Sequence, residues 1–271
     1  MKRKPAVAGY FYPGDYYSLN SLLEELIENS PEKISAIGII VPHAGYMYSG
    51  KVAGKVYGRI EPPDVAVILG PNHTGLGGKV SLFSGESYLT PLGEAKINQR
   101  LSKLILEKCP LVEEELYAHM REHSLEVQVP FLQYLNPEVE IVPIVIMDLD
   151  LNEIKLLGEA IAEAIEDFTS EEAREILVVA SSDFSHYEPQ VIAERKDRLA
   201  IEEVLKFSEE GLLKAVYENH ISMCGVLPVS VMLVCAKELG ASEAELIDYK
   251  TSGDITGDYA AVVGYAGVII W

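Results

Sequence analysis

Six histidines stand at positions 43, 73, 119, 123, 186 and 220, and three of them follow an apolar run within a few residues. His43 follows AIGIIVP, His73 follows VAVILGPN and His186 follows ILVVASSDFS. If those runs are adjacent parallel strands, the three imidazoles converge on one crevice, because doubly wound sheets bind ligands outside the carboxyl ends of their strands. Pro42 and Pro71 end the runs, and Gly45, Gly70 and Gly75 let the backbone turn sharply near a ligand. Asp183 precedes His186 by three residues and is placed to accept a ring N–H, which fixes the tautomer. His123 stands just before an amphipathic stretch. A helix N-terminus there would keep its imidazole neutral, fit to act as base or ligand. Cys224, in Ser222-Met223-Cys224-Gly225, reads as the start of a helix, whose dipole would favour the thiolate. His119 and His220 lack such a context and read as structural.

The chemistry this set supports is narrow. There is no G-x-S-x-G elbow, no Walker loop and no G-x-G-x-x-G after a strand. Gly75-Leu76-Gly77-Gly78 is glycine-rich but opens no helix, so it is a poor phosphate cradle. Imidazoles with a carboxylate and a thiol point to a mononuclear metal site or to a Cys–His nucleophile pair. Two histidines plus one further ligand, with open positions, suit non-haem Fe(II). A thiolate as the third ligand moves the preference toward Cu(I) or zinc. The other cysteines, Cys109 and Cys235, read as small buried hydrophobes, and without a C-x-x-C pair no disulfide framework is expected.

A scaffold must bring these residues together. Residues 36–41, 65–69, 139–147 and 176–180 are apolar at nearly every position, as strands buried on both faces are. Further strands are expected around 245–249 and 260–270. Helical spacing occupies 19–27, 94–107, 125–135, 152–167 and 190–206, and 223–239 reads as a more apolar, buried helix. Strands alternating with helices predict an α/β fold: one domain over residues 1–271, with a central, mostly parallel sheet covered by helices on both faces. No solenoid-length repeat, low-complexity tract or Gly/Ser linker divides the chain. The tyrosines near the start, Tyr10, Tyr12, Tyr16 and Tyr17, read as packing of an N-terminal arm onto the body.

Composition excludes several classes of partner. The 271 residues carry 22 Lys and Arg against 42 Asp and Glu, a net charge of −20. That balance argues against nucleic acid, whose counterions only a basic face displaces, and against a polybasic membrane anchor. No apolar run reaches the ~20 residues of a membrane span. The basic start MKRKP is followed by Gly9, Tyr10, Pro13, Gly14 and Asp15 rather than an apolar signal region, so a soluble, cytoplasmic protein is expected.

Several motifs, in order along almost the whole chain, resemble the Memo family. They are Gly9-Tyr10-Phe11-Tyr12-Pro13, Pro42-His43-Ala44-Gly45-Tyr46, Gly70-Pro71-Asn72-His73, Thr90-Pro91-Leu92-Gly93, Glu122-His123-Ser124-Leu125-Glu126-Val127-Gln128, Ser182-Asp183-Phe184-Ser185-His186, Cys224-Gly225 and Val263-Gly264-Tyr265. The pattern is similar to the archaeal branch, the B component of the AmmeMemoRadiSam system, which implies a radical-SAM protein as a partner. The resemblance implies a fold similar to class III extradiol dioxygenases and a metal, iron or copper with zinc as a further option, on His43, His73 and Cys224. It places His123, Asp183 and His186 around that metal, as the catalytic groups. After the cysteine the family often reads Gly-Tyr-Gly-Pro, whereas this chain reads Gly225-Val226-Leu227-Pro228 and lacks the tyrosine.

Three functions follow as expectations. The first is a metal-dependent redox enzyme, dioxygenase-like, acting on an unknown small molecule. The second is a non-enzymatic module that captures a peptide or small anion in the same pocket; animal members of the family are assigned binding of a phosphorylated receptor peptide. The third is a zinc or Cys/His hydrolase using Cys224.

Overall fold

The four uninterrupted apolar runs form the parallel centre of one large sheet. The computed structural model describes residues 1–271. In chain order its elements are β1 (Lys2–Arg3), α1 (Tyr16–Leu26), β2 (Gly38–Val41), α2 (Tyr46–Tyr57), β3 (Val65–Pro71), β4 (Val80–Phe83), β5 (Ser87–Thr90), β6 (Gly93–Lys96), α3 (Gln99–Lys108), β7 (Val112–Glu115) and α4 (Tyr117–Met120). After a 3-10 turn (Glu126–Gln128) come α5 (Val129–Leu135), β8 (Glu140–Ile146), α6 (Leu151–Glu171), β9 (Ile176–Ser181), β10 (His186–Glu188), α7 (Gln190–Leu205), α8 (Glu209–Glu218), α9 (Val226–Glu238), β11 (Ala244–Thr251), α10 (Gly253–Thr256) and β12 (Val262–Ile270).

The large sheet runs β10-β12-β2-β9-β3-β8-β4-β7, with β11 alongside β12. Strands β2, β9, β3 and β8 are parallel to their neighbours within that group. Toward the edges, β12 is antiparallel to β2 and β4 is antiparallel to β8. The fold is thus α/β as expected, with a sheet that is parallel at its centre and mixed as a whole. A second, small sheet pairs β1, β5 and β6.

Alternation explains why the central strands are apolar throughout. Val65, Val67 and Leu69 enter one buried cluster with α3, α6, α8 and α9, while Ala66 and Ile68 enter another with α1, α2 and α5. Each strand therefore supplies both cores, and neither face tolerates a polar residue. No helix is long and apolar enough to cross a membrane.

Three local readings change. Residues 94–107, expected as one helix, split into β6 and α3. Gly93–Lys96 pairs antiparallel with β5, and Asn98 starts the helix by accepting the Leu101 N–H at 2.8 Å. The last apolar helix begins at Val226 rather than 223, so Cys224 lies ahead of it. Helix α2 gave no helical signal, because Gly50, Gly54 and its β-branched residues have weak helix propensity. Packing stabilises it instead. A Cβ on Gly54 would lie 2.1 Å from the Leu26 carbonyl oxygen, so only glycine lets α2 approach the end of α1 this closely. Gly54→Ala is expected to cost about 2–3 kcal/mol of stability, the upper range for overpacking because the obstacle is backbone. Urea denaturation measures it; a midpoint equal to that of the wild type would show that α1 shifts freely.

Candidate metal centre

The carboxyl ends of β2, β9 and β3 lie side by side, and each is followed by a residue that could do chemistry. Pro42 and His43 extend β2, Asn72 and His73 extend β3, and Ser182 and Asp183 extend β9 between them. His123 arrives from the loop between α4 and the 3-10 turn, and Cys224 from the loop before α9. His43, His73 and His123 each offer a ligand nitrogen, and those atoms lie within 4.8 Å of one another. Their rings pack as a trio: centroids are 5.2 Å apart for His43–His73, 5.5 Å for His43–His123 and 4.7 Å for the stacked pair His73–His123. Phe11 closes one side, edge-on to His123 at 5.0 Å.

Hydrogen bonds fix which ring nitrogens face the centre. The Ser181 hydroxyl donates its only proton to the Ser124 carbonyl at 2.6 Å and receives the Gln128 amide at 2.8 Å. Its contact with His43 Nδ1 at 3.0 Å must then be an N–H donated by the ring. His43 Nε2 is left as a lone pair, 3.2 Å from Cys224 Sγ. His73 follows the same logic. Its Nδ1 lies 2.8 Å from Glu122 Oε1, a carboxylate that only accepts, so its Nε2 is free as well.

Glu122 is the organising carboxylate. It is buried, and besides the His73 ring it accepts the backbone N–H groups of His73 (2.6 Å), His123 (3.0 Å) and Ser124 (2.9 Å). Burial alone would raise its pKa, but the His73 ring and these N–H groups hold it down at about 2. Burial works against protonation of His73 too, yet the Glu122 hydrogen bond keeps its pKa above the usual imidazole value. His43 falls well below that value, first through burial and then through the neighbouring imidazoles. His123 is also lowered, with burial the largest cause. The expected helix-end effect is not what lowers it.

The remaining residues stand around this trio. Asp183 is buried, and its Oδ1 accepts the His43 backbone N–H at 2.8 Å. It therefore steadies the His43 backbone, while Glu122 orients a ring. Burial raises the Asp183 pKa against the pull of these N–H groups and of His186. His186 lies outside the trio, with Nδ1 2.8 Å from the Ser222 carbonyl. Cys224 touches His43 and takes the Asp183 backbone N–H at 3.3 Å, but it is not one of the three mutually close nitrogen donors. Burial, reinforced by the Asp183 carboxylate, pushes its thiol pKa up, where a helix start was expected to lower it. The dipole argument fails because Cys224 sits outside α9 in an enclosed, acidic setting. His119 is structural, held between the Tyr88 hydroxyl at 2.8 Å and the Ser81 carbonyl at 2.9 Å.

Sequence reasoning passed over Glu122, Ser181, Gln128 and Phe11 as parts of the site. Glu122 adjoins His123 and could have been suspected on that ground. Nothing in the residue order says that it reaches His73, 49 positions away.

A family model described as "Memo-like protein" matches residues 3–269. The chain is 45% identical to a "MEMO1 family protein" of Aquifex aeolicus, covering 98% of each chain. It is 41% identical to "MEMO1 family protein MK0963" of Methanopyrus kandleri, covering 99% of each. Among solved structures, an uncharacterized protein, JW3007, from Escherichia coli K12 aligns with a TM-score of 0.48 and 13% identity, covering 84% of this chain and 98% of that one.

Proposed function

The chain belongs to the Memo-like family, and on that premise we propose that it is a metal-dependent redox protein whose ion, iron or copper, is held by His43, His73 and Cys224. The observation that carries this reading is the pair of Nε2 atoms turned inward by the anchoring of Nδ1 on Ser181 and on Glu122, with a sulfur 3.2 Å from one of them. The 3.2 Å spacing of His43 Nε2 and Cys224 Sγ suits two ligands of one ion, while the sulfur stands outside the 4.8 Å group formed by the three imidazoles. Nitrogen and sulfur ligands with bonds of ~2.0 and ~2.3 Å lie roughly 3.0–3.5 Å apart for angles between square and tetrahedral. When bound, such an ion supplies Lewis acidity and one-electron chemistry.

The residues around it supply the rest. Glu122 behind His73 is the carboxylate–histidine arrangement that orients a ligand and raises its basicity. His123, kept neutral by burial and stacked on His73, is placed to carry a proton at a ring nitrogen. Asp183 holds the His43 backbone in register, and His186 adds a second imidazole at the rim. A cation beside Cys224 reverses the effect of burial, since metal binding displaces the thiol proton.

Co(II) replaces iron or copper as a spectroscopic probe. Wild-type protein is expected to show a thiolate-to-cobalt charge-transfer band that Cys224→Ser lacks. The variant should still bind cobalt, more weakly, through the two histidines. An identical near-ultraviolet spectrum in the variant would remove Cys224 from the ligand set and leave the three imidazoles as the ligands.

The same contact of Cys224 Sγ with His43 Nε2 supports a second reading, a thiol–imidazole nucleophile in a hydrolase. The raised thiol pKa opposes it, because the nucleophile is the thiolate. Iodoacetamide decides between them: alkylation of metal-free Cys224 faster than that of a free thiol at neutral pH favours the hydrolase.

A further inference from the structure

The loop that carries Asp183 and His186 is held by a carboxylate outside the centre. Asp197 lies on α7 and is fully buried. Its Oδ1 accepts the Ser185 backbone N–H at 3.0 Å and the Ser185 hydroxyl at 2.5 Å, and its Oδ2 accepts the Tyr249 hydroxyl at 2.7 Å. All three donors are neutral. A carboxylate buried on neutral donors alone costs stability that an apolar side chain of the same size would not.

The neighbouring strand is shaped around this contact. A Cβ on Gly264 of β12 would lie 1.9 Å from Asp197 Oδ2, so the glycine makes room for the carboxylate. Gly264 also brackets the loop with its backbone. The Phe184 N–H donates to the Gly264 carbonyl and the Gly264 N–H to the Ser185 carbonyl, each at 2.9 Å. Every polar group of the fully buried Ser185 is therefore engaged, its N–H and hydroxyl on Asp197 and its carbonyl on Gly264.

Ser185 stands among residues of the centre. Two positions before it, the Asp183 backbone N–H donates to Cys224 Sγ at 3.3 Å, and the Asp183 carboxylate accepts the His43 N–H at 2.8 Å. One position after it, the His186 N–H donates to the Ser222 hydroxyl at 2.7 Å. His43 and Cys224 thus both touch Asp183, and a shift of Ser185 would carry Asp183 with it.

We propose that Asp197 is a positioning residue of the metal centre, which through Ser185 fixes Asp183 and with it the spacing of His43 and Cys224. This rests on the metal-centre reading above.

The test titrates Co(II) into folded wild type, Asp197→Ala, Asp197→Asn and Ser185→Ala, with Gly54→Ala as a variant that destabilises the fold away from the centre. In Asp197→Ala, Co(II) affinity should fall about tenfold, the lower end of the range for residues that support a ligand. Its thiolate-to-cobalt band should shift, because the Asp183 N–H no longer sits on the sulfur. Asp197→Asn keeps a carbonyl oxygen for Ser185 and an amide that can donate to the Tyr249 oxygen, so it should bind like the wild type. Gly54→Ala should bind like the wild type as well. Wild-type affinity and band position in Asp197→Ala overturn the proposal and leave the metal centre intact. An equal loss in Asp197→Asn overturns it too, since the charge rather than the hold on Ser185 would then be at work. So does an equal loss in Gly54→Ala, which would reduce the effect to general destabilisation. If Asp197→Ala does not fold, Ser185→Ala decides. It removes one donor and leaves the carboxylate, and should bind Co(II) about threefold more weakly, on the scale of one neutral hydrogen bond. Unchanged binding there overturns the proposal. Wild-type protein that takes up no Co(II) defeats the metal-centre reading itself, and this proposal with it.

Discussion

His43→Ala is expected to lower metal affinity by more than 100-fold. His43 is the best-anchored donor in the site: Ser181 fixes its ring, Asp183 fixes its backbone, and Cys224 stands 3.2 Å from its free nitrogen. Removing it takes away one ligand and leaves the sulfur without its neighbour. Glu122→Gln provides the graded comparison. It keeps all the ligands but weakens the carboxylate that orients His73, so a loss of about 10- to 100-fold is expected. Metal content after anaerobic purification and competitive titration against a chelator measure both. Linkage offers a second readout, since a metal at a hundredfold excess over its Kd stabilises the folded protein by about 2.7 kcal/mol. Wild-type protein should therefore melt higher with metal, and His43→Ala should not. Equal metal content in the two proteins would place the ion elsewhere and refute the site.

The second large effect concerns stability. Arg3 and Glu126 form an ion pair at 2.7 Å with both side chains fully buried. The Arg3 guanidinium also donates to the carbonyls of His119 and Glu122, each at 2.6 Å, and lies 4.4 Å from the centroid of the Tyr88 ring. Glu126 in turn accepts the N–H groups of Ala6 (2.7 Å) and Val7 (3.0 Å) and the Tyr12 hydroxyl (2.6 Å). The pair thus joins the N-terminal arm to the segment that carries Glu122 and His123. Glu126→Ala leaves the buried guanidinium without its counter-charge and takes the acceptor from the Ala6 and Val7 N–H groups and the Tyr12 hydroxyl. The expected loss is about 3–5 kcal/mol, a large part of a total that is usually about 5–15 kcal/mol. The double variant Arg3→Met/Glu126→Leu should recover part of it, because the uncompensated charge is gone. Urea denaturation of the three proteins measures both values. A loss below about 1 kcal/mol in Glu126→Ala would mean that Arg3 reaches water, and that the arm is held by something other than this pair.

Much of the scaffold was legible because its signals are local. An apolar run ending in Pro42 or Pro71 reads as a strand and its end without reference to the rest of the chain. Elements whose stability comes from neighbours were not legible. Helix α2, poor in helix formers, exists because Gly54 lets it pack on α1. The hairpin β5–β6 took the first residues of an apparent helix, because Gly93–Lys96 folds back onto Ser87–Thr90 across a two-residue turn.

By itself, the sequence determined the fold class and which imidazoles end up at strand ends, because hydrophobic period and strand punctuation are encoded residue by residue. Only the tertiary structure decided the roles at the centre. It brought His123 into the imidazole trio, made Glu122 the carboxylate that orients His73, and kept the Cys224 thiol from being acidified. Those outcomes depend on distance and burial in space. An electrostatic interaction or a hydrogen bond acts over a few ångströms between groups that the chain order separates by dozens of residues.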